Sequence, residues 1–505
     1  MLDLGTSFLA SVERDPDALA IVDGEMRLSY RQWYERVSAL AAALRETGLK
    51  RGDHVLTAMQ NRWENASLHW ACQFLGLIVT PLNWRAKADE IDFGIEDSGA
   101  KAVFYETSTE EAVRLSRLAR DLPRFSADAL ADIMQGKAPD AAPVADAADW
   151  SLMLYTSGTT SKPKGVSRRH RAERSGAVAH VAQNLYRHGE RTLGVMPLYH
   201  TMGVRSLIAS SLIGGTFVCL PRFDAAKALD LIEEESITNL YLVPTLYHDL
   251  VYHEAFSPER VASVTKLGYA GASMTDGLLK RLDQTFRPEL FVNHYGSSEI
   301  YTFTIEQKAS AKPGSAGRAG INQAIRVVKL GSRDPNERTA VDEEGEIIAL
   351  MKSDEAFEGY WNRPDADAKA LHSGWYFTGD TGFVDNDGDL FVTGRADDMI
   401  ITGGENVSPV EVESCLSLHE GVAEVAVVGL PDERWGKIVV AFVKRRGDVT
   451  AEDLDRHCRD SGLANFRRPR RFVFVETIPK SPVGKLLRRL LVAGEYTEER
   501  IPELQ

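Results

Sequence analysis

Residues 150–165 read WSLMLYTSGTTSKPKG, an apolar segment followed by hydroxyl and glycine residues and then by lysine. The apolar segment Trp150–Tyr155 is typical of a buried β-strand. In the loop that follows, backbone N–H groups can approach an anion closely, and Lys164 adds a donor for phosphate oxygens. A Walker A loop is excluded because the Gly-Lys-Ser/Thr order is absent. The stretch predicts a strand that enters a phosphate-binding loop, and a polar loop without a ligand is the alternative at this point.

Helix and strand signals alternate on both sides of this stretch. Ser29 and Gln32 predict a capping box for a helix with apolar residues from Trp33 to Leu44, and Gly48 follows its end. Helical spacing recurs over 64–75, before Gly76, and over 88–97. The short apolar runs that predict strands are His54–Met59, Leu77–Leu82, Lys101–Tyr105, Leu193–Met196, Thr216–Leu220, Asn239–Val243, Lys266–Ala270 and Leu290–Tyr295. This alternation predicts βαβ units and therefore an α/β fold.

A second, smaller unit is predicted at the C-terminal end. Ser408, Pro409 and Glu411 have the order of an N-cap, a first helical residue and an N3 carboxylate. Strands at 422–428 and 438–443 and a helix over 451–461 follow. We expect a large N-terminal domain (1–395) of βαβ-containing subdomains, a hinge (396–398) and a small mobile α+β domain (399–505). The Ala/Asp/Pro-rich stretch 138–149 is expected to be a surface connector.

Composition narrows the class of protein. The 505 residues include 59 Lys and Arg against 73 Asp and Glu, a net charge of −14, which argues against nucleic acid as the main partner. No apolar stretch approaches about 18 residues, so no membrane span is expected. The N-terminus lacks a basic region and a long apolar region, which argues against a secretory signal. The four cysteines are far apart and form no CxxC pair, as expected of reduced thiols in the cytoplasm.

Further motifs follow the first loop in a fixed order. They are Tyr295-Gly-Ser-Ser-Glu299, Tyr376-Phe-Thr-Gly-Asp380, Gly394-Arg-Ala-Asp-Asp398, Gly403-Gly-Glu-Asn406 and Pro482-Val-Gly-Lys485. Together with Tyr155–Gly165 they resemble the signatures of the adenylate-forming superfamily: acyl-CoA synthetases, peptide-synthetase adenylation domains and luciferases. Pro197–His200, Asp432–Gly436 and Phe466–Pro469 are most similar to bacterial aryl-CoA ligases of the 4-chlorobenzoate:CoA ligase type.

The resemblance implies ATP, Mg²⁺ and coenzyme A. In the first half-reaction a carboxylate attacks the α-phosphate of ATP and releases pyrophosphate. Glu299 is expected to bind Mg²⁺, Tyr295 to stack on adenine, Asp380 to bind the ribose, and Arg395 to contact ribose and phosphate. Lys485 is expected to bridge carboxylate and phosphate during adenylation only. The ATP/AMP-binding residues implied are Thr156, Ser157, Gly158, Thr159, Thr160, Lys164, Gly271, Ala272, Tyr295, Gly296, Ser297, Ser298, Asp380 and Arg395.

The second half-reaction transfers the acyl group to the thiol of CoA. The resemblance implies that the small domain rotates about Asp397 and that Gly403 and Gly404 line the thiol channel. The residues implied for CoA are Arg85, Gly403, Gly404, Trp435, Phe466, Arg468 and Arg470. Paired arginines suit phosphates and an aromatic ring can stack on adenine. A solvated basic face with one buried tryptophan is the alternative.

The acyl pocket is placed by its position relative to the motifs. Its expected residues are His200, Met202, Tyr241, His294, Tyr301 and Thr302. Their rings favour a flat aromatic or heteroaromatic acid, and their polar groups suit a furoate-like or hydroxylated ring. His200 is interpreted as a gate rather than a base, because a thiol with a pKa near 8.5 needs only modest help to ionise.

Alternative functions remain at this stage. A medium-chain or alicyclic acyl-CoA synthetase is the nearest one. An amino-acid adenylation enzyme is disfavoured because 199–203 (YHTMG) offers no carboxylate for an α-ammonium group, and Lys485 argues against a regulator without catalysis. The preferred function is an AMP-forming aryl-CoA ligase of aromatic acid degradation, whose partners are the acid, ATP and CoA. A homodimer is left open.

Overall fold

The computed structural model describes residues 1–156, 163–395, 398–481, 484 and 486–499. In this part of the chain the strands form three sheets, of 14, six and five strands. Helices alternate with strands through most of the sequence. The predicted α/β class, with a large N-terminal body and a smaller C-terminal unit, is confirmed.

The helices and strands are numbered in chain order. The α-helices are α1 (Leu4–Arg14), α2 (Tyr30–Glu46), α3 (Trp63–Leu75), α4 (Ala88–Ser98), α5 (Glu110–Leu115), α6 (Ala127–Met134), α7 (His170–Gln183), α8 (Thr201–Leu212), α9 (Ala225–Glu234), α10 (Pro244–Val251), α11 (Asp276–Phe286), α12 (Pro364–Ala370), α13 (Pro409–Ser417), α14 (Ala451–Asp460) and α15 (Arg488–Val492). Among the described residues, no helix combines the length and the apolar character needed to cross a membrane.

The strands carry their own numbering. They are β1 (Leu19–Asp23), β2 (Met26–Ser29), β3 (His54–Ala58), β4 (Ile78–Pro81), β5 (Ala102–Tyr105), β6 (Arg124–Ser126), β7 (Trp150–Thr156), β8 (Lys164–Arg169), β9 (Arg191–Gly194), β10 (Thr216–Cys219), β11 (Asn239–Leu242), β12 (Lys266–Ala270), β13 (Leu290–Tyr295), β14 (Thr304–Glu306), β15 (Ser315–Ala319), β16 (Ile325–Val328), β17 (Gly345–Leu350), β18 (Leu371–His372), β19 (Trp375–Val384), β20 (Leu390–Arg395), β21 (Ile400–Thr402), β22 (Glu405–Val407), β23 (Val422–Asp432), β24 (Gly436–Arg445) and β25 (Arg471–Phe474). The strands predicted at 266–270 and 290–295 coincide with β12 and β13.

The six-stranded sheet has the order β6-β5-β3-β4-β7-β8. Its strands are parallel except β8, which forms a hairpin with β7 around the phosphate-loop motif. The capping box at Ser29 and Gln32 is confirmed at the start of α2. Helix α3 ends at Gly76, whose positive φ of 67° suits glycine. Trp33 and Trp70 are fully buried in the core beside this sheet.

The 14-stranded sheet contains a parallel block in the order β1-β10-β9-β11-β12-β13. Strands β14 to β20 extend it on the β13 side by antiparallel pairing. Because the strands of the block run in one direction, their carboxyl ends lie at the same edge of the sheet. That edge is the usual place for a ligand site in an α/β fold.

The C-terminal unit has the five-stranded sheet of β21 to β25. Ser408 is the N-cap residue of α13, as predicted, but the expected capping hydrogen bond is not formed. Its hydroxyl donates instead to the backbone oxygen of Thr393, 2.5 Å away on β20. The serine therefore ties the unit to the N-terminal body, a role that helix-capping preferences do not predict.

The connector at 138–149 has no helix or strand and most of its residues are exposed or partly exposed, as predicted, but two of its alanines pack against the N-terminal body. Ala141 and Ala145 are buried. The Tyr34 hydroxyl donates to the Ala141 oxygen, 2.7 Å away, and the Val144 N–H donates to the Phe74 oxygen. Small side chains let this irregular segment approach α2 and α3 closely enough for those bonds.

Candidate active site

Loops that follow the parallel strands bring the predicted site residues to one edge of the large sheet. Residues 195–200 follow β9, and Val243 follows β11. Gly271 and Ala272 follow β12, with Gly271 at a φ of +84°. Gly296–Glu299 follow β13. Residues far apart in sequence are neighbours here because their strands are adjacent and parallel.

The β7–β8 hairpin supplies the first cationic side chain. The Thr156 hydroxyl donates to the Lys164 backbone oxygen at 3.5 Å, where the two strands meet. The Lys164 ammonium lies 4.1 Å from the centre of the Tyr360 ring. The predicted phosphate ligands Ser157, Gly158, Thr159 and Thr160 lie outside the described residues.

Charges around Lys164 favour an anionic ligand. Burial lowers the pKa of the Lys164 ammonium, the Glu299 carboxylate opposes that effect, and Arg363 and Arg395 lower the pKa further. Three cationic groups thus act on one partly buried region. Such a cluster suits the oxygens of a polyphosphate.

Glu299 is nearly inaccessible and is held on two sides. The Tyr360 hydroxyl donates to Glu299 Oε1 at 2.6 Å. Arg168 Nη1 donates to the backbone oxygens of Ser298 and Glu299, at 3.3 and 3.1 Å. Neither Arg168 nor Tyr360 was predicted, because a buried arginine on a strand and a tyrosine outside the motifs give no local signal.

The turn that carries Glu299 requires glycine at its start. A Cβ at Gly296 would lie 2.1 Å from the Tyr301 backbone oxygen. The Ser297 N–H donates to the Ile300 oxygen at 2.9 Å, and the Ile300 N–H donates to Ser297 Oγ at 3.4 Å. This closed turn orients Ser298 and Glu299 at the edge of the sheet.

Asp380, Tyr295 and Arg395 form one contact group. The Tyr295 hydroxyl donates to Asp380 Oδ2 at 2.6 Å, and Arg395 Nη1 lies 3.1 Å from Asp380 Oδ1. The Asp380 N–H donates to Thr378 Oγ1 at 3.0 Å, after Gly379 at a φ of +73°. Burial, with Asp380 adding to it, raises the pKa of Tyr295 well above its ordinary value. The carboxylate is therefore fixed in place, while its ribose contact and adenine stacking by Tyr295 stay predictions.

Five of the six residues predicted for the acyl pocket form a buried cluster, whereas His200 is partly exposed. Tyr241 and His294 have ring centres 5.2 Å apart and nearly perpendicular planes. Tyr301 donates its hydroxyl to Glu173 Oε2 at 3.0 Å. Met202 and Thr302 are buried beside them. The sequence prediction thus brought together residues from β11, β13, α8 and the loop after β13.

One buried side chain of this cluster was missed. Arg205, on α8, donates from Nη1 to Thr302 Oγ1 at 3.0 Å and to the Tyr301 oxygen at 3.2 Å. Its Nη2 donates to the Tyr241 hydroxyl. In the sequence TMGVRSLIASSL an arginine resembles a solvated helix residue, and only the packing of α8 shows that it is buried.

His200 stands at the start of α8. Its Nδ1 accepts the Met202 N–H at 3.3 Å, so the ring caps the helix. A neutral histidine whose Nδ1 accepts carries its proton on Nε2. This arrangement agrees with a positioned ring, and the gating role stays a prediction.

The residues predicted for CoA fall into separate places. Arg470 lies 4.5 Å from the centre of the Trp435 ring, and the Gly403 N–H donates to the Trp435 oxygen at 2.9 Å. Gly404 follows at a φ of +89°. Arg468 Nη1 instead pairs with a carboxylate oxygen of Asp455 at 2.9 Å.

Phe466 and Arg85 lie apart from that group. Phe466 packs against the hydrophobic core of the C-terminal unit. Arg85 stands on the loop after β4, with its guanidinium 3.7 Å above the Trp84 ring. In this orientation Trp435, Arg470 and the two glycines form the compact part of the predicted CoA set.

The late loop of the C-terminal unit docks on the N-terminal body. The Thr245 hydroxyl donates to the Gly484 backbone oxygen at 3.2 Å. Nearby, His248 Nε2 lies 3.0 Å from the Ala423 oxygen. Gly484 thus rests against α10, which starts just after β11, the strand that carries Tyr241. Lys485 and the hinge residue Asp397 lie outside the described residues.

Comparison with known families agrees with this geometry. Residues 8–361 match the family described as AMP-binding enzyme. Residues 411–485 match the AMP-binding enzyme C-terminal domain. The chain belongs to the AMP-binding enzyme family.

Individual AMP-binding enzymes resemble the chain over nearly its whole length. It is 35% identical to a 4-chlorobenzoate–CoA ligase of Arthrobacter sp. over 490 residues, 95% of this chain and 93% of the relative. It is 33% identical to a long-chain-fatty-acid–CoA ligase of Mycobacterium tuberculosis over 477 residues, 92% and 93% of the two chains. An o-succinylbenzoate CoA synthetase of Bacillus subtilis, solved with its acyl-adenylate, superposes with a TM-score of 0.83 at 27% identity, covering 99% of each chain.

Family membership settles the type of reaction. This AMP-binding enzyme is an ATP-dependent, AMP-forming acid–thiol ligase that makes a CoA thioester through an acyl-adenylate. A carboxylate alone would have to expel oxide, a very poor leaving group, whereas its adenylate expels AMP. Positioning the two reactants and neutralising phosphate charge are the main tasks of such a site.

The residues fit the Mg²⁺ that AMP-binding enzymes use with ATP. Glu299 offers a hard carboxylate donor, and only its Oε1 has a hydrogen bond to another described residue. Mg²⁺ is usually held by one or two carboxylates together with substrate phosphates. Bound there, the ion would neutralise phosphate charge, and the chain's own part is to hold Glu299 through Tyr360 and Arg168.

Proposed function

We propose that this AMP-binding enzyme activates a small planar-ring acid, aromatic or heteroaromatic, and transfers it to CoA. The supporting observation is the buried set of rings at the acyl end of the site. Tyr241 and His294 stand 5.2 Å apart at 73°, and the ring of His180 lies 4.7 Å from that of Tyr241. Rigid rings at these separations favour a flat substrate over a flexible chain.

In the proposed adenylation step, a carboxylate oxygen of the acid attacks the α-phosphorus of ATP and pyrophosphate leaves. Lys164 and Arg395 neutralise phosphate oxygens, with Glu299 holding the metal. Asp380 accepts hydrogen bonds from the ribose hydroxyls, and the Tyr295 ring stacks on the adenine. Lys485 bridges the carboxylate and the α-phosphate. The docked position of Gly484 beside α10 supports this role for the residue that follows it.

In the proposed thioester step, the CoA sulfur attacks the acyl carbon and AMP leaves with the electron pair of the broken bond. We place the hinge at 396–398, so that 399–505 rotates and Gly403 and Gly404 line the thiol channel. Trp435 and Arg470 hold the nucleotide end of CoA, which their mutual contact supports. His200 gates the channel.

The decisive experiment measures products and substrate shape together. Purified enzyme is incubated with ATP, Mg²⁺, CoA and single acids: benzoate, 4-chlorobenzoate, furan-2-carboxylate, cyclohexanecarboxylate and octanoate. We expect AMP and pyrophosphate in equal amounts with a thioester, and the highest kcat/KM for a planar-ring acid.

Two results would contradict the proposal. ADP as the stoichiometric product would reject the adenylation chemistry. A higher kcat/KM for octanoate than for every ring acid would reject the planar-ring assignment and favour the medium-chain alternative, which the fatty-acid relative makes worth testing.

We also place the enzyme in the cytoplasm. All four cysteines of the sequence are free thiols: Cys72, Cys219, Cys415 and Cys458. Thiols stay reduced in that compartment. Fractionation of the source cells, with the ligase activity as the marker, tests the location.

A further inference from the structure

Arg205 occupies a position from which it can contact a substrate in the acyl pocket. It lies three residues after Met202 on α8, so both side chains are on one face of the helix. The same helix begins at His200. The guanidinium contacts Tyr241, Tyr301 and Thr302, residues already assigned to the pocket wall. Arg205 is therefore one turn deeper in the same pocket.

The hydrogen bonds of Arg205 leave part of its donor capacity unused. The side chain is only 2% exposed. Nη1 and Nη2 donate to neutral oxygens, but Nε has no partner among the described residues. Leaving a charged donor buried and unpaired is costly, so such a group calls for an explanation.

No carboxylate among the described residues forms an ion pair with Arg205. The carboxylate on which Arg205 acts is Glu355: the guanidinium charge opposes the rise that burial causes in the Glu355 pKa, although no salt bridge joins the two side chains and Glu355 Oε2 has no partner among the described residues. Glu355 is itself buried, and that burial raises its pKa. Arg168, the other buried arginine nearby, has its own carboxylate in Glu173. Among the described residues, Arg205 thus differs from Arg168 in having no carboxylate within salt-bridge distance.

A second unpaired polar atom lies in the same cluster. His294 is also 2% exposed, and its Nε2 lies 3.0 Å from the Asn184 side-chain amide. Its Nδ1 has no partner in the described part of the chain. Two unpaired nitrogens, on α8 and β13, thus lie in the buried cluster that is predicted to form the acyl pocket.

We propose that Arg205 is a specificity residue that selects acids carrying an oxygen acceptor at the end remote from the reacting carboxylate. The inference rests on the proposed function, because it assumes a ring acid in this pocket. The acceptor is a ring oxygen, a hydroxyl or a second carboxylate, all of which accept from a guanidinium N–H. A substrate without an acceptor leaves the donor unpaired and loses about 10- to 100-fold in kcat/KM.

The test compares acids of similar size in one enzyme. We would measure kcat/KM for 4-hydroxybenzoate and 4-chlorobenzoate, for furan-2-carboxylate and thiophene-2-carboxylate, and for benzene-1,4-dicarboxylate. The wild type should prefer the oxygen-bearing acid of each pair by at least about tenfold. The preferred member of the series shows whether the acceptor is a ring oxygen, a hydroxyl or a carboxylate, and each of these outcomes supports the proposal.

Variants assign the preference to one side chain. Arg205→Met keeps a long side chain and removes its hydrogen-bond donors. The ratio of kcat/KM between the two acids of each pair should then fall to about one. Arg205→Lys should restore part of it. Arg174→Met on α7, where the guanidinium bonds Ser7 outside the pocket, is the matched control and should leave the ratio unchanged. Because each ratio is taken within one enzyme preparation, partial misfolding does not alter it.

Two results would overturn the inference. One is a wild-type ratio at or below one for both pairs, which needs no variant to fold. The other is a ratio for Arg205→Met within twofold of wild type. Failure of the proposed function is distinguishable, because octanoate would then exceed every ring acid. Ring acids accepted without any dependence on Arg205 would reject this inference alone.

Discussion

The acyl pocket and the docking contact of the C-terminal unit are built in opposite ways. Arg205, Tyr241 and Tyr301 are at most 3% exposed, and Arg205 donates hydrogen bonds to the Tyr241 hydroxyl and the Tyr301 backbone oxygen inside the N-terminal body. The docking contact at Thr245 and Gly484 is one partly buried hydrogen bond between the two units, beside the separate contacts of His248 with the Ala423 oxygen and of Ser408 with the Thr393 oxygen.

The buried network is suited to stay unchanged during the proposed reaction cycle, whereas the contact between the two units is suited to break and form again. A buried, interlocked network is rigid, because moving one member leaves others unpaired in a low-dielectric interior. A single part-buried bond contributes only about 1 kcal/mol and can be exchanged for another orientation at little cost. The proposed acyl pocket therefore suits recognition in both half-reactions, and the docking contact suits the proposed orientation for adenylation alone.

The largest effect is expected inside the body, at the ion pair of Arg168 and Glu173, both fully buried. Glu173→Gln would leave the guanidinium without its carboxylate and should lower the free energy of unfolding by about 3–5 kcal/mol. Urea denaturation followed by tryptophan fluorescence measures this loss. Glu111→Gln, at the exposed pair with Arg114, is the control and should leave the midpoint unchanged. An equal midpoint for Glu173→Gln would show that the pair is dispensable.

In the C-terminal unit, Lys485→Ala should reduce adenylation by about 10²–10³. Thioester formation from pre-made acyl-adenylate and CoA should survive, because the proposed rotation carries the lysine away. Single-turnover kinetics of each half-reaction measures both. Loss of both steps to the same degree, with circular dichroism unchanged, would contradict domain alternation.

Asp397→Pro is the converse variant, since proline restricts the φ rotation that the proposed hinge must make. Adenylation should persist and thioester formation should slow. Slowing of adenylation alone would remove Asp397 from the hinge.

A smaller effect is expected at Gly484, which has a φ of +79° and faces Thr245. A Cβ there would lie 2.3 Å from Thr245 Oγ1. Gly484→Ala should therefore disfavour the docked orientation and slow adenylation by about tenfold, with thioester formation retained. Gly494→Ala has the same φ and no atom within 4 Å of its Cβ, so it controls for backbone strain alone. Matching half-reaction ratios in the two variants would show that docking is not the cause.

The smallest effect is expected for Thr245→Val, which removes only the hydroxyl that donates to the Gly484 oxygen. Adenylation should fall by about fivefold, since one neutral hydrogen bond contributes about 1 kcal/mol. Thr245→Ser keeps the hydroxyl and should behave as wild type. A matching fall in thioester formation would assign Thr245 to the acyl pocket instead of the docking contact.

Local sequence patterns predicted most of the helices and strands and the residues expected to bind the nucleotide. The capping box at Ser29, the glycine stop at Gly76 and the strands β12 and β13 follow from neighbouring residues, because capping, backbone freedom and apolar periodicity are local properties. The motif order also predicted Asp380 and Glu299 as site residues, since both belong to short signatures, and their roles stay predictions.

Tertiary packing decided the rest. Arg205 and Arg168 look like ordinary charged residues in their own segments, and only the neighbours brought by distant strands show them to be buried. Ser408 occupies its predicted cap position, yet its hydroxyl bonds Thr393 because β20 passes close by. Burial and hydrogen-bond partners depend on which helices and strands pack together, and a local sequence pattern does not specify that packing. The sequence by itself therefore determined the class and the chemistry of this enzyme, and packing decided which charged and polar side chains are buried around the proposed acyl pocket.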